Sequence, residues 1–311
     1  MSSKPSEPRM TTTLIPSASG TMSLDDFVHF VDANVDLNSY DSLISAAQEL
    51  AAVSSDKNLL PMFLSKAIDE YLSGNVLPSY NAQSILLARG KGFYVRANIW
   101  SPLKLQSALR THEERIFSYR NTHDHNFSFL TVGHFGPGYT TRLYTYEVSK
   151  VVGRIGELVD LSDEGETTLH VGKVMAYKEK YDVHTQLPPD ELSISLNLMV
   201  ERSRDAEPDQ YFFDEKSGRI TGLPEIAIVH RRASIIRLAA SLGGRNAAPV
   251  IEKLLRISPC RRVREAAALS ISSMPGLSNA DFKSLVTLAL DDDDPIVRDA
   301  GTSMLQSFNS V

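Results

Sequence analysis

The stretch Asn121–Thr145, NTHDHNFSFLTVGHFGPGYTTRLYT, decides the fold. Phe127 to Val132 is a β-prone run, Gly133 to Gly138 a turn region, and Thr140 to Glu147 a second β-prone run. Aromatic and β-branched residues broken by Gly and Pro at such short intervals read as strands of a sandwich or barrel. Working outward, the same texture begins at Phe93-Tyr94-Val95 and Ile99-Trp100, which Ser101-Pro102 closes, and returns at Leu169 to Tyr177 and Leu192 to Val200. Between them, Leu103 to Phe117 is helical or irregular, and the charged, turn-rich Arg202 to Gly222 is a hairpin or a linker.

Chemistry concentrates in the same region. Side chains at i and i+2 of a strand share a face, so His123-Asp124-His125 presents two imidazoles together and sends Asp124 the other way. Two ring nitrogens converging from one strand can bind a first-row metal, and a third ligand from a distant strand would complete a face. Downstream, Asp182-Val183-His184 is followed by a Pro188-Pro189 turn and by Ser193-Ile-Ser-Leu-Asn-Leu-Met199. His134, just after the first run, is either a ligand in place of His184 or a turn residue.

This order of elements resembles the cupin family over about Phe93 to Val200. In that family a His-x-His strand and a later single His, before a final inward-facing strand, supply the metal ligands. Most cupins add a Glu a few residues after His-x-His, but Phe129 and Leu130 stand there and Glu147 lies beyond a turn. The chain is therefore similar to the three-histidine branch, which includes the cysteine dioxygenase-like thiol oxygenases. The resemblance implies Fe(II) on His123, His125 and His184, with Zn or Mn as alternatives. It also implies that Arg96, 27 residues before His123, pairs with a substrate carboxylate. Tyr94, Asn197 and Tyr144 are the other residues expected to face a substrate. Two departures change the expected chemistry. Asn197 and Met199 stand where the thiol dioxygenases have His and Tyr, and the single cysteine, Cys260, lies too far along the chain for their cysteine–tyrosine crosslink. The expected substrate is thus another amino acid or a related small carboxylate, used with O2. Because residue 125 is His rather than a carboxylate, no 2-oxoglutarate requirement is expected. The alternatives are a Zn- or Mn-dependent isomerase or lyase, and a non-enzymatic scaffold.

The flanks are helical. Phe27, Phe30 and Val31, then Leu43, Ile44, Ala47 and Leu50, follow helical spacing; Ser23-Leu-Asp-Asp is a helix start, and Leu60 to Leu72 a further helix. From Pro224 onward an internal repeat appears: Val229-His-Arg-Arg-Ala, Val263-Arg-Glu-Ala-Ala and Val297-Arg-Asp-Ala-Gly recur at intervals of 34 residues. A fixed period of alternating helices means a solenoid, and Asp291-Asp-Asp-Asp-Pro-Ile-Val-Arg-Asp-Ala resembles the start of a HEAT-repeat second helix. The cluster of arginines from Arg231 to Arg264 either docks an acidic partner or forms a solvated, stacked face; self-association through the repeats is a further expectation.

Bulk properties agree. The 311 residues are 42% hydrophobic and 23% charged, the values of a soluble globular protein, and the net charge of −6 argues against general nucleic-acid binding. One cysteine permits no intrachain disulfide, which fits a reducing, cytoplasmic compartment. No apolar run approaches the roughly 20 residues of a membrane span. The expectation is an α+β protein: a disordered lead-in over 1–22, a helical section over 23–90, a cupin-type metal-binding β-sandwich or barrel over 91–222, and HEAT-like helical repeats over 223–311.

Overall fold

The computed structural model describes residues 12–16, 20–74, 81, 83–103, 107–201, 209–224 and 228–309. Most of the expected lead-in, the turn at Asn75–Tyr80 and the start of the Arg202–Gly222 segment lie outside them. The chain divides into two compact units. One comprises Met1–Val148, Val159–Arg202 and Phe212–Gly218; the other comprises Ser149–Leu158, Ser203–Tyr211 and Arg219–Val311.

The first unit is a sandwich of two antiparallel sheets with helices. In chain order it contains β1 (Thr12–Leu14), α1 (Leu24–Asn34), α2 (Tyr40–Ile44), α3 (Ala47–Ser54) and α4 (Leu59–Leu72). Then come β2 (Ser84–Gly90), β3 (Phe93–Trp100), α5 (Ser107–Ile116), β4 (Thr122–Asp124), β5 (Phe129–Phe135) and β6 (Thr140–Thr145). The last are β7 (Ser162–Thr168), β8 (Val174–Tyr177), β9 (Asp182–Gln186), β10 (Ser193–Val200) and β11 (Phe212–Phe213). One sheet runs β1-β8-β5-β10-β3-β2, and the other includes β11-β4-β9-β6-β7.

The two-residue period of a strand sorts the first sheet into two faces. Phe93, Val95 and Ala97 of β3, Leu130 and Val132 of β5, Val174 and Ala176 of β8, and Leu196 and Leu198 of β10 all point one way. They share a core with Phe27 and Val31 of α1, Leu43 of α2, Leu50 and Val53 of α3 and Leu60 of α4. The helices therefore close the outer face of the sheet, and the same core cluster runs across the expected boundary at residue 90. Two strands also begin earlier than the sequence suggested. β2 pairs with β3 from within the expected helical section, and Thr12–Leu14, within the expected lead-in, pair with β8 at Val174 to Ala176. Neither strand alternates clearly between apolar and polar residues. β7, SDEGETT, lacks that alternation too, yet it pairs with β6 along its length.

Local chemistry fixes the junctions. The Ser23 side chain caps α1 by accepting the Asp26 amide at 3.1 Å, with Asp25 and Asp26 in the first turn. Tyr40 donates to the Ala176 carbonyl at 2.9 Å, and burial pushes its phenol up to about 12. A Cβ on Gly133 would lie 2.1 Å from the His170 carbonyl oxygen, so β5 needs glycine where the 169–172 turn crosses it.

The second unit contains β12 (Ile220–Gly222), α6 (Ile228–Gly243), α7 (Ala248–Ile257), α8 (Arg261–Ser270), α9 (Asn279–Leu290) and α10 (Pro295–Asn309). The residues recurring every 34 positions begin α6, α8 and α10, which stack in succession, while α7 and α9 pack between them. Val263, Ala267, Ile251, Leu285, Val297 and Ala300 form their shared core. No helix among the described residues is long and apolar enough to cross a membrane.

Several of the clustered arginines are spent inside this unit. Arg261 and Arg262 both donate to Asp209 Oδ2, at 2.6 Å from Arg261 Nη2 and 2.9 Å from Arg262 Nε. Arg262 also donates to the Gly153 carbonyl at 2.7 Å, and Arg264 pairs with Asp292 at 2.7 Å. Asp209 and Arg262 are both buried, so removing the carboxylate charge leaves Arg262 with Glu265, at 2.9 Å, as its remaining ion-pair partner. Asp209→Asn is expected to lower the unfolding free energy of this unit by about 3 kcal/mol, measured as an earlier urea transition in the loss of helical circular dichroism.

Candidate metal centre

β4 and β9 are neighbours, and their register sets His123 directly opposite His184. His125 follows β4 by one residue and keeps to the side of His123. The three rings converge through their Nε2 atoms: His125 to His184 is 3.0 Å and His184 to His123 is 3.2 Å. One ligand atom from each lies within 4.8 Å of the other two. A metal–nitrogen bond of about 2.1 Å puts neighbouring ligand atoms of a tetrahedron or octahedron about 3.0–3.4 Å apart; the His125–His184 and His184–His123 pairs have that spacing, and three imidazoles are a donor set that suits a divalent cation.

Burial keeps these rings in their ligating form. Desolvation is the largest influence on each, and it holds all three below the ordinary imidazole value of 6.5. His125 is lowered further by His123, His184 and Arg96. His123 Nδ1 lies 2.7 Å from the Asn121 carbonyl oxygen; the proton it donates there leaves a lone pair on Nε2, facing the cluster. Asp124 points the other way and accepts from Tyr146 at 2.7 Å, as the strand period requires.

The inner face of the first sheet forms the opposite wall. Its β3 residues are Tyr94, Arg96, Asn98 and Trp100, alternating with those that face the helices. Arg96 Nε is buried with no hydrogen-bond partner among the described residues. Burial lowers the affinity of its guanidinium for its proton, and the Tyr94 and Tyr139 phenols are its neighbours. Asn197, register partner of Arg96 on β10, accepts from Thr131 at 2.7 Å and from Ser195 at 3.1 Å. Trp100 Nε1 donates to Ser195 at 3.0 Å, and the Trp100 ring lies on Tyr139 with centroids 4.0 Å apart. Phe129 and Tyr177 complete the lining, Tyr177 against His184 and Phe129 against His125.

His123, His125, His184, Arg96 and Asn197 thus gather inside one sandwich, with Tyr94 at its edge under the Arg89 guanidinium. Tyr144 does not join them. Leu143 is the residue opposite His184, so Tyr144 faces the other side of the sheet, where its hydroxyl donates to Glu215 at 2.7 Å beside Arg142. Glu147 is exposed beyond the end of β6. His134 lies on the helix-facing side of β5, with Nδ1 2.9 Å from the Ser54 carbonyl oxygen, and His170 is exposed. Sequence reasoning missed Gln186, whose Nε2 lies 3.0 Å from His184 Nε2. Its signal was the spacing of two residues from His184, which puts both on one face of β9.

Residues 228–306 match the family model for HEAT repeats. No curated protein matches the chain by sequence. Among solved structures, the chain is similar to hydroquinone 1,2-dioxygenase from Sphingomonas sp. TTNP3 with 4-hydroxybenzoate bound. That alignment has 8% identity and a TM-score of 0.28, and covers 42% of this chain and 71% of the other. It is also similar to a sugar phosphate isomerase of the cupin superfamily from Silicibacter pomeroyi (12% identity, TM-score 0.24, 43% of this chain and 66% of the other). A third similar structure is the Drosophila melanogaster CENP-C cupin domain (13% identity, TM-score 0.21, 45% of this chain and 97% of the other).

The position of His134 leads to a pH prediction. Burial lowers its ring below 6.5, so the unfolded chain takes up the proton more readily than the folded one. The stability it provides is full above that pH and is lost as pH falls through it. His134→Asn is expected to cost about 1 kcal/mol at pH 8, and the gap from wild type should narrow below pH 6.5 in urea titrations.

Proposed function

We propose that this chain is a cupin-type, non-haem Fe(II)-dependent oxygenase that uses O2 on a small amino acid or related carboxylate, without 2-oxoglutarate. One observation carries the reading. Three neutral imidazoles, His123 and His184 buried and His125 half-buried, converge by their Nε2 atoms inside a sandwich that also holds Arg96, whose buried Nε has no hydrogen-bond partner among the described residues. An all-imidazole set neutralises none of the charge of a divalent ion, and Arg96 adds a second uncompensated cation. A buried space with two such cations selects an anionic occupant. Bound there, Fe(II) would supply the open positions and the reducing power that O2 chemistry needs.

The protein's own groups do the rest. The Arg96 fork suits a carboxylate held by two parallel hydrogen bonds, which would orient the substrate relative to the histidines. The Thr131–Asn197–Ser195–Trp100 network holds the inner face of β10 rigid beside it. Phe129, Tyr177 and Trp100 exclude water, which strengthens each polar contact made inside. The HEAT repeats are a surface for a protein partner or for self-association, and the expected compartment is the cytoplasm.

The test is metal content after anaerobic purification. Near one equivalent of iron is expected in wild type, lost in both His123→Ala and His184→Ala. Stoichiometric zinc would instead support an isomerase or lyase, and no metal after reconstitution would overturn the enzyme reading. With iron present, O2 consumption should identify the carboxylate substrate. Arg96→Gln should then raise its KM by about 10- to 100-fold, the value of a lost charge-assisted hydrogen bond.

A further inference from the structure

Two helices carry apolar stripes that the fold leaves uncovered. In α4, Leu59, Leu60 and Phe63 reach the core of the first unit. Beyond them Leu64, Ile68, Tyr71 and Leu72 follow at i, i+4, i+7 and i+8, one side of a helix, and are between 40% and 76% exposed. In α6, Ile235, Leu238 and Leu242 follow at i, i+3 and i+7 and are between 58% and 80% exposed. A single exposed leucine is ordinary, but a helical stripe of three or four is the pattern of an interface. The helical array does not itself require the second stripe. One 34-residue period on, the same positions are Leu269, Ser272 and Gly276, and one further on they are Ser303, Gln306 and Ser310. Each helix also carries the wrong charge at one end. The last turn of α4, the negative end of its dipole, holds Asp69 and Glu70 and no basic residue. The first turn of α6, the positive end, holds His230 and Arg231 and no acid. Glu70 pairs with Lys66 at 3.9 Å, whereas Asp69 and Arg231 have no ion-pair partner among the described residues.

We propose that the two stripes are the halves of one self-association contact, in which α4 of one copy lies antiparallel on α6 of a second copy. This takes up self-association, one of the two roles given to the repeats above, and does not depend on the metal centre. In that arrangement Leu64 meets Leu238, Ile68 meets Ile235, and the Tyr71–Leu72 end reaches Arg231. The acidic end of α4 then lies beside the basic end of α6. Each end compensates the other's dipole, and Asp69 gains Arg231 as a neighbour. Parallel packing would set like dipole ends together. Pairing α6 with α6, or α4 with α4, would leave the charges unmet.

The test is sedimentation velocity on the full-length protein. Wild type is expected to associate, and Ile68→Glu and Leu238→Glu each to sediment as monomers. Both side chains are more than half exposed, so circular dichroism should not change. Because the contact joins unlike surfaces, the two variants mixed in equal amounts are expected to associate with each other: one keeps an intact α4, the other an intact α6. Asp69→Arg should weaken the wild-type association by about tenfold, and adding Arg231→Glu to the same chain should recover it. A monomeric wild type would overturn self-association altogether. Assembly that survives either glutamate variant, or variants that stay monomeric on mixing, would overturn this contact and leave self-association to other surfaces of the repeats.

Discussion

The crowding of three imidazole nitrogens, two of them on buried rings, is the constraint on which the site depends. Desolvation first, and for His125 and His184 repulsion from neighbouring cationic groups second, keeps His123, His125 and His184 neutral. Neutral rings at 3.0 and 3.2 Å in turn cannot all satisfy one another by hydrogen bonds. Such a set would be costly in a folded protein without a cation to join it. The expense is tolerated because the rest of the unit is strongly apolar where it can be.

That apolar remainder has a clear place. Each central strand of the first sheet alternates between residues buried under α1–α4 and residues facing the sandwich interior. The helices therefore do more than decorate the barrel. They close the outer face so that the inner face can carry Arg96, Asn98, Thr131, Ser195 and Asn197, all poor contributors to a hydrophobic core. The contact between β5 and α3 shows how closely the layers are fitted. The Ser54 hydroxyl donates to the Gly133 carbonyl at 2.9 Å, and the Ser54 carbonyl meets His134.

Much of this was legible beforehand. The His-x-His spacing put two imidazoles on one face because strand periodicity is a local rule that needs no partner, and the resemblance to the cupin family added His184. The 34-residue recurrence marked the helical repeats for the same reason. What escaped were elements whose meaning depends on neighbours. β1 and β7 have no hydrophobic signal of their own and exist only because β8 and β6 offer open edges. Tyr144 was misplaced because its face depends on its register with β9, which a sequence does not print. Gln186 gave no signal because an amide is chemically ordinary until the fold lays it beside a histidine ring of the cluster.

The second unit draws the same line from another side. A run of arginines reads as a basic surface, yet Arg261 and Arg262 are committed to Asp209, about fifty positions away in sequence, and Arg264 to Asp292. The sequence by itself determined residue types and local periods: two imidazoles on one face, strands broken by Gly and Pro, helices returning every 34 residues. Only the tertiary structure decided which of those groups meet. Hydrogen bonding, ion pairing and metal-ligand convergence act over about 3 Å, and chain separation does not fix distances that short.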